Sequence, residues 1–206
     1  MSEILVAVDG PAGSGKSSVS KQAAKDLDFG YLDTGASYRA LTLFAIRSGW
    51  QLEEVGEQNL AEEFEYQIST DPSNYWVKVN GEDVTNEIRL SEVELNVSKV
   101  ASQPKVRSFM REQTRRLASE CQKSGIIVEG RDITTVVLPD AATRVLLTAS
   151  EEVRLARRTV DLAGSEAVGA RLSERDKKDS KVVDFLTPAE GVSLLDTTEL
   201  SFDQSV

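Results

Sequence analysis

An α/β fold with a parallel sheet covered by helices on both faces is predicted by three features of the sequence. Short β-branched apolar runs alternate with segments of helical period, the rhythm of strand–helix–strand units. A glycine-rich loop separates the first such strand from the first helix. The 206 residues are 40% hydrophobic and 28% charged, enough apolar material for one core with an insertion and too much for a disordered chain.

Ile4-Leu5-Val6-Ala7-Val8 is a continuous apolar run closed by Asp9-Gly10-Pro11, as a strand buried on both faces requires. Residues 17–27 carry small or apolar side chains at Val19, Ala23, Ala24 and Leu27 and read as a helix. A second strand is expected over residues 29–32 and a largely buried helix over residues 38–46. Residues 51–120 differ in character and read as an insertion into a core formed by residues 1–50 and 121–206. Within it, residues 53–65 are strongly acidic and predict a solvated helical face. Two strands, 66–69 and 75–79, flank Asp71-Pro72-Ser73-Asn74, and Asn80-Gly81 signals a turn. Helices follow over 91–100 and 104–117, the second carrying Arg111, Arg115 and Arg116 at a spacing that predicts a solvated face. The α/β rhythm resumes with strands at 126–128 and 144–148 and a helix at 151–162. Residues 163–180 are polar and charged, as a flap would be. A last strand is expected at 192–195, and Ser201-Phe202-Asp203 opens a further helix.

The net charge of −10 disfavours a nucleic-acid partner, whose binding rests on neutralising phosphates. The single Cys121 cannot form an internal disulfide, and no apolar run approaches the length of a membrane span. Met1-Ser2-Glu3 leads into Ile4 without a basic, apolar leader. A cytoplasmic monomer without nucleic-acid or membrane partners is expected.

Gly10-Pro11-Ala12-Gly13-Ser14-Gly15-Lys16-Ser17, followed by Ser18, fits G-x-x-x-x-G-K-[ST] between a strand and a helix. Glycines let successive N–H groups turn inward around phosphate oxygens, and the helix N-terminus adds unpaired donors. Lys16 reaches the β- and γ-phosphates and the Ser17 hydroxyl suits Mg²⁺. No Asn-Lys-x-Asp for reading guanine is present, and Asp161-Leu162-Ala163-Gly164 lies at a helix end, where a switch motif does not occur. Glu129-Gly130-Arg131-Asp132 emerges at the carboxyl end of a strand, where open α/β sheets place ligands. Its carboxylate suits a Mg²⁺-bound water or a ribose hydroxyl, and Arg131 a phosphate. Arg39, Arg107, Arg157, Arg158 and Arg175 fall at loops or helix ends, where several guanidinium forks can converge on phosphate. The chain contains no histidine. That favours an acceptor such as a phosphate oxygen, already ionised and needing no general base.

In this order the motifs closely resemble the bacterial cytidylate kinases, a branch of the P-loop nucleoside monophosphate kinases. The resemblance runs from Val8-Asp9-Gly10-Pro11-Ala12-Gly13-Ser14-Gly15-Lys16 and Leu32-Asp33-Thr34-Gly35-Ala36-Ser37-Tyr38-Arg39 through Val79-Asn80-Gly81-Glu82-Asp83-Val84-Thr85, Ile88-Arg89, Ser98-Lys99-Val100-Ala101 and Val106-Arg107. It continues through Glu129-Gly130-Arg131-Asp132, residues 135–141 and Arg175-Asp176-Lys177-Lys178-Asp179-Ser180. It implies the fold of that family: a parallel sheet flanked by helices, an enlarged monophosphate-binding insertion at 51–120 and a lid at about 159–181. The implied reaction is ATP + CMP or dCMP giving ADP + CDP or dCDP, with Mg²⁺. By matched position, Thr34, Asp132 and Arg175 would contact the acceptor pentose. Ser98, Arg107 and Asp179 would read cytosine, and Arg39 and Arg131 would hold the acceptor phosphate. Arg157 or Arg158 would be the ATP-side arginine, making these two, with Lys16, Arg131 and Asp132, the implied catalytic set. Three departures stand out. Lys181-Val182 replaces the end of an Asp-Ser-x-Arg run, Thr134 stands where the family usually has glycine, and the sequence stops at Val206 just as a C-terminal helix should begin. The competing expectations are a kinase of the same fold for another small acceptor, such as UMP, and a nucleotide-binding module without turnover.

Overall fold

The structure, a computed structural model, describes residues 4–161 and 187–206. Five strands form a parallel sheet: β1 (Ile4–Asp9), β2 (Gly30–Asp33), β6 (Gly125–Gly130), β7 (Thr143–Thr148) and β8 (Ser193–Asp196), in the order β2-β6-β1-β7-β8. The chain leaves β1 toward β2, returns through β6, and then builds outward on the other side with β7 and β8. β1 is therefore the point at which the winding reverses, and the crevice at its carboxyl end is where such sheets take ligands. Every residue of β6, Gly-Ile-Ile-Val-Glu-Gly, is buried, so a run without polar alternation belongs in the sheet interior.

Helix α1 (Lys16–Asp26) follows β1 and packs on β6 and β2. Helix α2 (Thr34–Arg47) begins four residues earlier than its apolar spacing suggests. The cause is Asp33, whose side chain accepts from the Ala36 N–H at 3.0 Å and caps the helix directly off the end of β2.

Residues 53–65 do not form the solvated helix that their acidity suggests. A single 3₁₀ turn, Val55–Glu57, and a short helix α3 (Leu60–Glu63) stand there instead. Val55, Leu60 and Phe64 are buried, and their uneven spacing fits no continuous helical face. Gly56 donates its N–H to the Gln103 side chain at 2.7 Å, which pins the segment to the start of the helix Pro104–Glu120. A three-stranded antiparallel sheet follows, β3 (Tyr66–Ile68), β4 (Val77–Val79) and β5 (Glu82–Asp83). Asn80 and Gly81 both take positive φ, 48° and 81°, the tight hairpin turn that Asn-Gly favours. Helices α4 (Ser91–Ala101) and α5 (Pro104–Glu120) complete the insertion.

A π-helical turn, Ile133–Val137, separates β6 from β7, and α6 (Glu151–Asp161) follows β7. Phe202–Ser205 is a closing helical turn capped by Ser201 and Gln204. One hydrophobic cluster runs from the sheet (Ala7, Leu32, Ile126, Val128) through α2 (Leu41) into the insertion (Val55, Phe64, Val77, Ile88, Val106). Among the described residues no helix is long and apolar enough to cross a membrane.

Candidate functional site

The loop after β1 turns through positive φ at Gly13 (76°) and Gly15 (93°) before α1 begins at Lys16. A loop that turns its N–H groups inward turns its carbonyls outward, and those oxygens need donors. Two arginines one turn apart on α6 supply them. Arg154 Nη1 donates to the Ala12 carbonyl at 3.0 Å, and Arg157 Nη1 to the Ser14 carbonyl at 3.1 Å. Arg157 also holds Thr197, just past β8, through its hydroxyl at 2.9 Å and its carbonyl at 2.8 Å. α6 packs so closely that a methyl at Gly13 would lie 2.6 Å from the Arg154 carbonyl oxygen. Arg157 thus braces the outer side of the loop. The side chain of Arg158 lies outside the described residues.

The inner side of the loop faces Glu129, which is almost wholly buried near the end of β6. Its carboxylate accepts from Ser17 Oγ at 2.6 Å and Tyr31 Oη at 3.2 Å, and lies 3.7 Å from Lys16 Nζ. Burial pushes the Glu129 carboxyl up from its ordinary value, with Lys16 opposing and Asp33 adding to the rise. Burial, then the Glu129 charge, likewise drives the Tyr31 phenol up. Lys16, Ser17 and Glu129 form one contiguous polar cluster with one positive and one negative charge. At its edge Asp33 pairs with Arg89 of the insertion at 3.5 Å, and Lys21 sits 5.2 Å over the Tyr75 ring.

The second half of the site leaves the next strand. β1 and β6 run parallel with Asp9 opposite Gly130, so the loops beginning at Gly10 and Arg131 emerge side by side. Thr34 Oγ1 donates to the Glu129 carbonyl at 2.8 Å, and a methyl at Gly130 would lie 2.5 Å from that hydroxyl. Only glycine permits this approach. Asp132 is buried and pairs with Arg107 of α5 at 2.5 Å. Burial raises the Asp132 carboxyl, Arg107 opposes the rise and nearby Asp9 adds to it. Tyr38 lies against the same group. Burial first, then the Asp132 charge, pushes its phenol up to about 12, against the pull of Arg107 and Arg111.

Of the residues singled out in the sequence, the structure brings Lys16, Ser17, Thr34, Arg107 and Asp132 into this crevice. Arg39 on α2, Ser98 on α4 and Arg131 after β6 are half-buried. Arg175 and Asp179 lie outside the described residues, as do Lys181 and most of the expected lid. The solvated-face reading of the α5 arginines holds for Arg116, which pairs with Glu120 on the surface at 2.8 Å. It holds also for Arg115, which stays exposed while donating to the carbonyls of Val137 and Val136 at 2.8 and 3.0 Å. It fails for Arg111, half-buried near Tyr38. Sequence reasoning assigned no role to Arg154, Thr197, Arg89, Tyr75 or Tyr38. Only Arg154 left a usable signal, standing three residues before Arg157 on one helix face.

The sequence profile that describes cytidylate kinase matches residues 6–206. Among curated proteins, the chain is 44% identical over 213 residues to "Cytidylate kinase" of Rhodococcus jostii, covering 100% of this chain and 92% of that protein. It is 42% identical over 219 residues to "Cytidylate kinase" of Exiguobacterium sibiricum, covering 100% and 95%. Full-length similarity at this level establishes that the chain belongs to the cytidylate kinase family.

Proposed function

We propose that this chain transfers the γ-phosphoryl group of ATP to CMP or dCMP, giving ADP and CDP or dCDP, a step of pyrimidine nucleotide metabolism. The observation that carries this reading is the β1–β6 register, which sets the triphosphate loop and the Arg131-Asp132 loop at adjacent strand ends. A donor phosphate on the first and an acceptor phosphate on the second lie in one crevice. Residues 10–18 cradle the ATP phosphates with backbone N–H groups, and Lys16 contributes its charge at the β- and γ-phosphates. Arg39 and Arg131 hold the acceptor phosphate. Thr34, Asp132 and Arg175 hold the pentose, and Ser98, Arg107 and Asp179 read the base. The Arg107–Asp132 pair orients both partners, so neither fork nor carboxylate must be ordered when the nucleoside arrives.

The chemistry then needs little from side chains beyond position and charge. An ionised oxygen of the acceptor phosphate forms the new bond to the γ-phosphorus while the bridging oxygen leaves with ADP. No proton has to be removed from the nucleophile, which suits a chain without histidine. Ser17 and Glu129, hard oxygen donors beside Lys16, would hold Mg²⁺, which supplies neutralisation of phosphate charge when bound. Among the described residues no cluster of three or more His, Cys, Asp or Glu side chains could hold a metal. A Mg²⁺ carried mainly by phosphates and water needs none.

Coupled detection of ADP with ATP, Mg²⁺ and a panel of CMP, dCMP, UMP, AMP, GMP and no acceptor tests the reading. Turnover confined to CMP and dCMP is expected. Turnover with UMP alone would move the acceptor assignment and keep the fold, whereas a folded chain with no acceptor-dependent turnover would remove the kinase reading.

A further inference from the structure

The π-helical turn Ile133–Val137 is tied into the protein at both of its ends. Asp9, the buried last residue of β1, accepts the Ile133 N–H on Oδ1 at 2.8 Å. Its Oδ2 accepts both the Thr134 N–H at 2.8 Å and the Thr134 hydroxyl at 2.6 Å. At the other end Arg115 covers the carbonyls of Val136 and Val137, and Arg144 reaches the Thr134 carbonyl at 3.3 Å. Within the turn, the Asp132 carbonyl accepts from the N–H groups of Val136 and Val137 at 2.9 and 3.0 Å. The same residue's carboxylate receives Arg107. A continuous path therefore runs from the strand that launches the triphosphate loop, through one carboxylate and one turn, to the Arg107–Asp132 pair. π-Turns are rare and concentrate at functional sites, and a carboxylate receiving three donors is rigidly fixed.

We propose that Asp9 and Thr134 are positioning residues for acceptor binding: the Thr134 hydroxyl fixes the Asp9 carboxylate, and the turn so anchored sets where Asp132 and Arg107 meet the acceptor nucleoside. The proposal rests on the acceptor reading above. It assigns a role to a threonine that the turn does not need for its backbone bonds, since the two N–H groups of Ile133 and Thr134 already cap it.

Steady-state kinetics of Thr134→Val and Thr134→Ser in the full chain supply the test. Thr134→Val keeps the shape and both backbone bonds and removes one charge-assisted hydrogen bond. It is expected to raise KM for CMP about tenfold while KM for ATP stays within about twofold. Thr134→Ser restores the hydroxyl and is expected to return KM for CMP to within about twofold of wild type. An unchanged KM for CMP, an equal rise in both constants, or failure of the serine to rescue would each overturn the proposal. A wild-type chain that does not phosphorylate CMP would defeat the acceptor reading instead, and the clamp is then decided without turnover. Thermal unfolding of Thr134→Val, Arg107→Met and the double variant forms a cycle between residues joined through the turn and Asp132. Non-additive midpoints support the path, and additive ones exclude it.

Discussion

Glu129 shows what a single buried carboxylate does to such a site. Its strand places it where Lys16 and Ser17 can meet it, but burial outweighs their help and its pKa is raised above the ordinary 4.5. The sign of the stability effect follows. Well below 4.5 the carboxyl is protonated in the folded and unfolded chain alike, and Glu129→Gln is neutral. As pH rises above 4.5 the unfolded chain releases its proton first, so the folded state loses stability until its own raised pKa is passed. Glu129→Gln is therefore expected to raise the thermal midpoint at neutral pH. The gain disappears toward pH 4, while kcat falls by about a hundredfold as the charge beside Lys16 and Ser17 is lost. Melting curves of both proteins from pH 4 to 8, with kcat at pH 7.5, check this. A variant that melts lower at neutral pH would show that the Lys16 contact, and not desolvation, dominates.

At the scale of elements, the triphosphate loop depends on a helix 142 residues away in the chain as much as on its own glycines. Arg154 and Arg157 meet the Ala12 and Ser14 carbonyls from behind, leaving the N–H face for phosphate. Arg154→Met keeps the aliphatic stem and removes one such donor. It is expected to raise KM for ATP about three- to tenfold with little change for CMP. Gly13→Ala is expected to be worse, because the methyl meets a backbone carbonyl at 2.6 Å at a position with φ of 76°. Titration of ADP binding by calorimetry separates the two, and equal weakening of CMP binding would argue against a local effect. Which elements could be read from the sequence follows the same logic of local and distant causes. β1, β6 and β7 were legible because strands inside a covered sheet leave short β-branched apolar runs, and the loop was legible because its glycines are required locally. The start of α2 was obscured because Asp33 both ends a strand and caps a helix. The turn Ile133–Val137 was hidden more deeply. Its β-branched sequence resembles a strand, and its conformation is held by Asp9, 124 residues earlier. Arg111 looked solvated because helical spacing reveals a face but not what lies opposite it.

Across the whole molecule, the insertion and the sheet do not have separate cores. Phe44 of α2 stands edge-on to Trp50 at 5.1 Å and against Phe64 at 5.7 Å. Phe64 in turn stacks on Tyr66 at 5.7 Å and meets Phe109 of α5 at 6.4 Å. These rings belong to the same hydrophobic cluster as Leu32, Ile126 and Val128 of the sheet. A crevice built from loops of both parts is positioned only if both fold together, so one cooperative transition is expected rather than two. The chain offers the probes to detect it. Its two tryptophans report on the seam between the parts, Trp50 against Phe44 of α2, and on the insertion, Trp76, whereas far-ultraviolet dichroism weights all helices, including α1 and α6 behind the loop. The two signals should trace one curve, and ADP, held by the loop, should shift both equally. Phe64→Ala removes the ring at the centre of the aromatic chain. It should cost about 3–5 kcal/mol and move both curves down by the same amount. If the tryptophan signal melted first, with dichroism and ADP response retained, the insertion would be an independent body. Acceptor binding and triphosphate binding would then be coupled only through ligand, and the rigid path from Asp9 to Asp132 could not account for their alignment.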